Sequence, residues 1–313
     1  MEAFHGADRR NGFGEKMNSL VAIIIVNWNG KQVTSECLQS LRAVDYSSFN
    51  VYVVDNASSD GSVDEIARSF PEVRLIQSTE NRFYAGGNNY GFQIAKQDKP
   101  EFVLFLNNDT VVDKDFLKYL VGAISSDEKI GMVGPKIFHF DQPDVIWSAG
   151  GFVSFFQGKT GHYGLRRKDS SRLDQQREVS YLTGCTQLIR TELFEKLGGF
   201  DESYHMYSED ADLCQRARNA GYKIIYIPQS KIWHKISSSS GGGLTAYKIR
   251  NKIRGNLRFF RKYARWYHWL TIPIFVFLDG IGFIAKSLVT LNLKNVWRLI
   301  KGVAGIHKSE QAK

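Results

Sequence analysis

Three polar side chains end the apolar run in the segment FVLFLNNDTVVD. Residues 102–106 are all apolar, which predicts a central parallel strand covered by helices on both faces. Open α/β sheets bind ligands at the carboxyl ends of their strands, where Asn107, Asn108 and Asp109 would lie. A carboxylate there can hold a divalent cation, and the amides can bond sugar hydroxyls or water. The same residues also fit an Asx turn or helix cap before a helix over 113–124.

A second carboxylate, Asp55, follows the β-forming residues 51–54 in the segment VVDNASSDGS. At a strand tip it can accept hydrogen bonds from a ribose hydroxyl or a base N–H. The alternative is a simple turn, with Ser58, Ser59 and Asp60 capping the next helix.

The segment NRFYAGGNNYG, residues 81–91, joins adjacent glycines, amides and aromatic rings before a predicted helix over 87–96. Backbone N–H groups at a glycine-rich helix start can bind a diphosphate. The segment is not a dinucleotide fingerprint, because the G-x-G-x-x-G spacing is missing and no strand leads directly into it. A tight structural turn is the alternative.

Acidic side chains cluster in GGFDESYHMYSEDADLCQRARNAGY, where Glu209, Asp210 and Asp212 crowd the start of a helix predicted over 209–220. Crowded carboxylates raise one another's pKa, which favours a group that takes a proton from a hydroxyl. Acids that only cap the helix are the alternative. Further on, His234 follows the strand-like KIIYIPQSKIW. Its imidazole can complete an oxygen-rich metal site, which Mn²⁺ accepts more readily than Mg²⁺, or it can be structural.

The elements that must position these side chains alternate along the first two-thirds of the chain. Apolar runs predict strands at 20–26, 51–54, 73–76, 102–106 and 223–227, and helical periodicity predicts helices near 32–43, 87–96, 191–197 and 209–220. This order predicts a Rossmann-like, mostly parallel sheet with helices on both faces. Between 130 and 179 the pattern loosens into short strands, and 158–176 is predicted to be an acceptor-shaping insertion or a mobile lid.

The 313 residues, 43% of them hydrophobic, allow a domain of about 240 residues and an appendage. The net charge of +9 is uneven: residues 213–313 hold 19 Lys and Arg against two acids, whereas residues 1–212 hold 22 against 30. Residues 1–212 therefore do not suit binding to nucleic acid, whereas residues 213–313 suit an anionic membrane surface or phosphate groups. Cys37, Cys185 and Cys214 are odd in number and widely spaced, which predicts reduced, cytosolic packing without disulfides or zinc.

The C-terminal part predicts a membrane-associated helical extension. A helix from residue 244 carries an apolar stripe beside a basic one, and residues 266–293 are strongly apolar with aromatic residues at their start. Asp279 would cost about 2.5 to 3.5 kcal/mol at the centre of a bilayer, which favours a helical hairpin or in-plane segment on the cytoplasmic leaflet. We therefore divide the chain into a flexible leader (1–18) without a signal peptide, a main domain (19–243) and the extension (244–313).

Six motifs occur in the order typical of family 2 glycosyltransferases: VAIIIVNWNG, VVDNASSDGS, NRFYAGGNNYG, FLNNDT, the GGFDESYHMYSEDADLCQRARNAGY segment and the His234 segment. Over residues 20–265 the chain resembles the rhamnosyltransferase-like group of this family. The resemblance implies a GT-A fold and inverting transfer of a sugar from a nucleotide diphosphate donor. dTDP-rhamnose is the first expectation and a UDP-hexose the second. A growing surface glycan or a polyprenyl-linked glycan is the expected acceptor.

The resemblance also assigns roles by motif position. Asp109 and His234 would hold a divalent cation, Mn²⁺ or Mg²⁺. Asp210 would be the general base, with Glu209 as the competing choice and Asp212 orienting the base. The residues expected to bind the donor nucleotide are Asn27, Asp55, Asn81, Gly86, Gly87, Asn88, Asn107, Asn108 and Arg250. One departure is that Asn107 replaces the first acid of the frequent Asp-x-Asp motif.

Two other classes of protein stay open. A sugar nucleotidyltransferase would be expected to carry a glycine-rich, arginine-containing phosphate loop after the first strand, and residues 26–30, VNWNG, do not supply one. A membrane-bound glycan-binding or scaffold protein would be favoured by loss of the metal-binding acid or the base, but Asp109, Asp210 and His234 are all present.

Overall fold

The computed structural model describes residues 18–235, 245–290 and 293–305. All but the last residue of the predicted leader, and the Ser- and Gly-rich stretch after His234, lie outside the described residues.

A ten-stranded mixed sheet forms the centre of the molecule, and a two-stranded hairpin lies beside it. The strands are β1 (Val21–Asn27), β2 (Phe49–Asp55), β3 (Arg74–Gln77), β4 (Phe102–Leu106), β5 (Thr110–Val112), β6 (Ile130–His139), β7 (Ile146–Ser148), β8 (Gly151–Ser154), β9 (Lys159–His162), β10 (Arg177–Glu178), β11 (Thr186–Arg190) and β12 (Lys223–His234). Parallel pairing joins β1 to β2 and β4, β2 to β3, and β6 to β12, whereas β11 runs antiparallel between β4 and β6. The predicted α/β class with a mostly parallel central sheet is confirmed.

Helices cover both faces of the sheet. They are α1 (Lys31–Leu41), α2 (Ser62–Ser69), α3 (Phe83–Ala95), α4 (Phe116–Ser125), α5 (Thr191–Lys196), α6 (Glu209–Asn219), α7 (Ala246–Tyr263), α8 (Ile272–Val289) and α9 (Leu293–Ala304). Because side chains alternate along a strand, Ile24 of β1 points into the core beneath α3 and α6, whereas Ile23 and Ile25 point into the core beneath α1 and α4. Both cores are fully buried at the centre of the sheet.

Two elements differ from the sequence prediction for identifiable reasons. Helix α3 begins at Phe83, four residues before the predicted start, and an Asx turn leads into it: the Asn81 Oδ1 accepts a hydrogen bond from the Phe83 N–H at 2.8 Å. Strand β12 continues to His234, beyond the predicted end at residue 227. Its ladder with β6 shifts register between Ile227 and Lys231, where Pro228 has no N–H to donate.

The predicted insertion at 158–176 is tied to the sheet by a buried lysine. The Lys136 side chain is fully buried on β6, and its ammonium group lies 2.8 Å from Asp169 and 2.5 Å from Asp174. The Tyr226 hydroxyl also donates to the Leu173 carbonyl at 2.9 Å. These contacts hold the insertion against the sheet.

The C-terminal extension is fixed to the main domain at its start. Phe259 and Phe260 of α7 are buried in the core on the α3 and α6 side of the sheet. After a short 3-10 turn, Trp266–Leu270, the Thr271 hydroxyl donates to the Phe156 carbonyl at 2.7 Å. Helix α8 is long and apolar enough to cross a membrane by length and composition, and most of it is exposed. Asp279 on α8 pairs with Lys159 at 3.4 Å, which links this helix to the β8–β9 hairpin.

Candidate active site

The carboxyl ends of β1, β2 and β4 meet in a hydrogen-bonded cluster around Asn27. The Asn27 amide donates to the Asp55 Oδ1 at 2.8 Å. Its oxygen accepts from the Thr34 hydroxyl at 2.7 Å and from the Asn108 amide at 3.3 Å. The Asp55 Oδ2 accepts from the Ser58 N–H at 2.9 Å. The structure therefore brings these three predicted donor-binding residues together: Asn27 bonds the Asp55 carboxylate, and Asn108 bonds Asn27.

Asn56 is a further candidate, one that was not predicted from the sequence. Its side chain is 1% exposed, and its amide donates to the Phe83 carbonyl at 3.0 Å. Its Oδ1 has no hydrogen-bond partner among the described residues. Since a buried amide oxygen is costly to leave unpaired, Asn56 is suited to accept a ligand N–H beside Asp55. Its position directly after the strand-end carboxylate was the available signal.

The glycine-rich segment packs α3 against the sheet. A Cβ atom at Gly87 would lie 3.0 Å from both methyl groups of Val26, and one at Gly86 would lie 3.3 Å from the Glu202 carboxylate. The Asn88 amide donates within the helix to the Tyr84 carbonyl at 2.9 Å. The first N–H groups of a helix have no intrahelical partners. Because α3 begins at Phe83, these groups precede Gly86 and Gly87 in the sequence and do not belong to the two glycines.

Asp109 and His234 form a close pair at the ends of β5 and β12. Pairing of these strands sets His234 opposite Thr110, and the His234 Nε2 lies 3.0 Å from the Asp109 Oδ1. Both side chains are more than nine-tenths buried. Burial opposes the charged imidazole, but Cys185 and Asp109 outweigh it and raise the pKa of His234 to about 10. The Asn107 N–H donates to the Cys185 carbonyl at 2.9 Å, which fixes the strand tip beside the pair.

This pair fits one face of a divalent cation site. A carboxylate oxygen and an imidazole nitrogen point at the same space, and a cation held there would replace the proton they share. Within the described ranges, no cluster of three or more His, Cys, Asp or Glu side chains could hold a metal ion.

Glu209 and Asp210 lie side by side at the start of α6, in different environments. The Asp210 Oδ2 accepts from the Tyr181 hydroxyl and the Gly184 N–H, each at 2.8 Å, so the orientation of this carboxylate is fixed. Burial raises the pKa of Asp210. Burial and the Asp210 charge raise the pKa of Glu209 to about 8, and its Oε2 has no hydrogen-bond partner among the described residues. The two acids are thus an oriented carboxylate and a neighbour that favours its protonated form.

Asp212 was expected to orient the base, but its hydrogen bonds go elsewhere. It is fully buried and accepts from Arg216 at 2.6 Å, and from Lys262 and the Tyr263 hydroxyl at 2.8 Å each. It points to α7 because residue 212 lies two positions after Asp210, which is about 200° around the helix. Asp212 therefore joins α6 to α7, and Tyr181 and Gly184 orient Asp210.

An aromatic bridge (Trp147, His162 and Tyr181) spans the space between the Asp109 and His234 pair and Asp210. The Trp147 ring centroid lies 4.8 Å from that of His234 and 4.9 Å from that of His162. The His162 ring lies 5.4 Å from that of Tyr181, whose hydroxyl reaches Asp210. Burial lowers the pKa of His162 to about 4, so this ring is neutral at pH 7. None of the three was predicted from the sequence: Trp147 and His162 come from the region where the pattern was weakest, and Tyr181 follows that region directly.

Arg250 lies on α7, with its guanidinium 5.4 Å from the Tyr247 ring centroid. It is half-buried, and its Nε has no hydrogen-bond partner among the described residues. The structure thus leaves one arginine donor open, which is compatible with the predicted phosphate contact.

Residues 18–256 match the sequence pattern described as "Glycosyltransferase like family 2". The protein belongs to this family and is a glycosyltransferase. It is similar to N-acetylglucosaminyl-diphospho-decaprenol L-rhamnosyltransferase of Mycobacterium tuberculosis, with 27% identity over 245 residues that cover 72% of this chain and 79% of the relative. It is also similar to low-salt glycan biosynthesis hexosyltransferase Agl10 of Haloferax volcanii, with 27% identity over 65% of this chain and 63% of the relative.

The fold is that of GT-A glycosyltransferases. The mannosyltransferase PcManGT of Pyrobaculum calidifontis, solved with GDP-Man and Mn²⁺, superposes with a TM-score of 0.62 at 16% identity, over 94% of this chain and 88% of that one. GalNAc-T7, solved with UDP, GalNAc and Mn²⁺, superposes with a TM-score of 0.59 at 17% identity, over 76% of this chain and 47% of that one.

Proposed function

We propose that this glycosyltransferase is metal-dependent and inverting, and that it moves a sugar from a nucleotide diphosphate donor to a lipid-linked or growing glycan of the cell surface. The observation that carries the proposal is the distance of 3.0 Å between the Asp109 carboxylate and the His234 imidazole, with the aromatic bridge leading from this pair to Asp210. dTDP-rhamnose is the first candidate donor and a UDP-hexose the second, in line with the rhamnosyltransferase and hexosyltransferase relatives.

The donor would lie along the carboxyl edge of the sheet. Asp55 and Asn56 would receive the nucleoside, and Asp109 and His234 would hold a divalent cation, Mn²⁺ or Mg²⁺. When bound, that cation would neutralise charge on the leaving diphosphate. Arg250 would add a hydrogen bond to a phosphate oxygen, since its guanidinium carries a donor without a partner among the described residues.

The acceptor hydroxyl would be deprotonated by Asp210. The carboxylate must face the anomeric carbon from the side opposite the leaving diphosphate, which requires a fixed orientation. The hydrogen bonds from Tyr181 and Gly184 supply that orientation. Glu209 remains the competing choice for the base. If Asp210 keeps the charge that the pair shares, the raised pKa of Glu209 makes Glu209 the less ionised of the two acids near pH 7.

The extension would hold the catalytic domain against the cytoplasmic face of a membrane. Apolar side chains of the 3-10 turn, α8 and α9 are exposed on it, among them Trp266, Leu270, Phe277, Val289 and Trp297. An apolar surface of this kind beside many Lys and Arg residues suits an anionic leaflet. A lipid-linked acceptor would be met there. We retain 19–243 as the catalytic domain and 244–313 as the extension.

Nucleotide binding by the full chain tests the proposal. Calorimetric titration with UDP and with dTDP, each with and without Mn²⁺, should show binding that Mn²⁺ strengthens. Asp109→Asn should remove the effect of Mn²⁺ and leave the weaker metal-free binding. Asp115→Asn is the matched control, because Asp115 lies six residues further on and makes no side-chain cap hydrogen bond.

Each outcome discriminates between functions. Mn²⁺-enhanced binding that Asp109→Asn abolishes supports the donor site as proposed. Equal binding with and without Mn²⁺ contradicts metal dependence. Absence of binding for both nucleotides would contradict the donor site and favour a scaffold or glycan-binding role.

A further inference from the structure

A basic cleft lies between the loop before α6 and one face of α7. Its volume is about 850 Å³, and residues 203–206 form one wall. The α7 wall presents Arg254, Arg258 and Arg261, which recur at helical spacing and so share one face. Of the functional residues assigned above, none lines this cleft.

The arginines set the charge of the cleft. None of its lining residues is acidic. Lys262, which also lines it, pairs with Asp212 at 2.8 Å and Asp201 at 3.1 Å, so its charge is compensated. Among the described residues, no carboxylate pairs with Arg258 or Arg261, and the Arg258 guanidinium lies 5.7 Å from the Tyr204 ring centroid. Exposed guanidinium groups of this kind bind phosphate in a bidentate manner.

A buried amide that lines the cleft also indicates a ligand. Asn251 lines the cleft and is 2% exposed. Neither its Nδ2 nor its Oδ1 has a hydrogen-bond partner among the described residues. A buried amide without partners is destabilising, and one donor beside one acceptor is the pair that a sugar hydroxyl satisfies. The cleft thus offers exposed cations, Arg258 and Arg261, and a buried amide, Asn251.

The cleft adjoins the catalytic acids. Met206 in its wall is three residues before Glu209. Between them, Tyr207 and Ser208 have φ angles of 71° and 73°, a conformation that non-glycine residues seldom adopt. Gly255 of α7 packs against them so closely that a Cβ atom would lie 2.4 Å from the Tyr207 carbonyl oxygen. Helix α7 therefore forms one wall of the cleft and also packs against the residues that lead into α6.

We propose that this cleft binds the phosphate or diphosphate group of a lipid-linked acceptor. Arg258 and Arg261 bind the phosphate oxygens. Asn251 forms hydrogen bonds with the first sugar, which extends from the cleft towards Asp210. The lipid chain extends towards Trp266, which is 77% exposed and lies three residues after the end of α7. The inference rests on the proposed function and adds to it the place where the acceptor is held.

Binding of farnesyl diphosphate to the full chain, measured by calorimetry, tests the proposal. The wild type should bind farnesyl diphosphate and should not bind farnesol. Arg258→Gln with Arg261→Gln should weaken this binding by roughly tenfold or more, since each substitution removes a charge-assisted contact. The matched control, Arg298→Gln with Lys301→Gln, removes the same charge from α9 and should change it by less than about twofold.

Two further titrations separate the possible sources of the phosphate. UDP and dTDP with Mn²⁺ should bind the cleft variant as they bind the wild type; loss of that binding would assign the arginines to the donor and overturn the proposal. Vesicles of phosphatidylglycerol should bind both double variants similarly. If only vesicle binding falls in the cleft variant, the arginines contact bulk headgroups and the proposal fails.

The remaining outcomes are equally decisive. Equal losses of farnesyl diphosphate binding in the two double variants would reveal an effect of net charge alone and contradict a specific cleft. Wild type that binds nucleotide with Mn²⁺ but no farnesyl diphosphate would refute this inference and leave the proposed function intact. Wild type that binds farnesyl diphosphate but no nucleotide would refute the proposed function instead.

Discussion

Replacing Glu209 by Gln is expected to stabilise the protein at alkaline pH and to have little effect in acid. Burial, with the neighbouring Asp210, raises the pKa of Glu209 from its ordinary 4.5 to about 8. The folded protein therefore retains a proton that the unfolded chain releases, and the stability of the wild type falls as the pH rises from about 4.5 to about 8. Glutamine resembles the protonated acid and does not titrate, so the variant lacks this loss.

The magnitude follows from the two pKa values of Glu209. They differ by about 3.5, and each pH unit corresponds to about 1.36 kcal/mol, which gives an upper limit of about 5 kcal/mol. Because Asp210 occupies the same buried site and shares the proton equilibrium, we expect a gain of about 2 to 5 kcal/mol at pH 9.

Urea unfolding at pH 5, 7 and 9 measures this effect. The free energy of unfolding of Glu209→Gln should approach that of the wild type at pH 5 and exceed it progressively at pH 7 and 9. Glu192→Gln is the control, since Glu192 is an exposed acid in the first turn of α5. A difference between Glu209→Gln and wild type that is constant with pH, or that shrinks as the pH rises, would refute the reasoning.

Other predictions concern the proposed base, the buried lysine and the glycine of α7. Asp210→Asn should keep Mn²⁺-dependent nucleotide binding but lower the transfer rate by about 10²- to 10⁴-fold, measured by product formation. Replacing both carboxylate partners of Lys136 by Asn should cost about 3 to 5 kcal/mol in urea unfolding, more than Lys136→Met, because only the former leaves a buried charge unpaired. Gly255→Ala should destabilise by about 1 to 3 kcal/mol through its clash with a backbone carbonyl, whereas Gly122→Ala on α4, with open space around it, should stabilise by about 0.5 to 1 kcal/mol.

Strands β1 and β4 were well predicted from the sequence because they are uninterrupted apolar runs. β1 and β4 are buried on both faces, so nothing in their patterns competes with the strand signal. β6 was harder to predict, since Gly131, Gly134, Pro135 and Lys136 interrupt its pattern. The two glycines make room for Leu193, Tyr222 and Leu182, and acids more than 30 residues further along the chain neutralise the lysine. Those partners become visible only in the folded protein.

The residues of the candidate site, too, could be predicted only in part. Strand-end polar residues such as Asp55 and Asp109 could be predicted, because strand ends in an α/β sheet converge on one edge. The aromatic bridge could not, since Trp147 reads as an ordinary core residue until β7 places it against His234. The direction of Asp212 was also hidden: its partners on α7 are about 50 residues away in sequence.

The contacts between α6 and α7 would allow the extension, if it binds a membrane as proposed, to leave the geometry of the proposed catalytic acids unchanged. Burial opposes the charge of Lys262, but the carboxylates of Asp212 and Asp201 outweigh it and raise its pKa, so the lysine stays charged. A rotation of α7 by one residue, about 100°, would separate Lys262 from both acids and leave the fully buried Asp212 without two of its partners. It would also drive a bulkier residue than Gly255 against the Tyr207 carbonyl. If α8 contacts a membrane as proposed, forces on it would therefore move α7 and the proposed catalytic acids together and would preserve the distance from the basic cleft to Asp210.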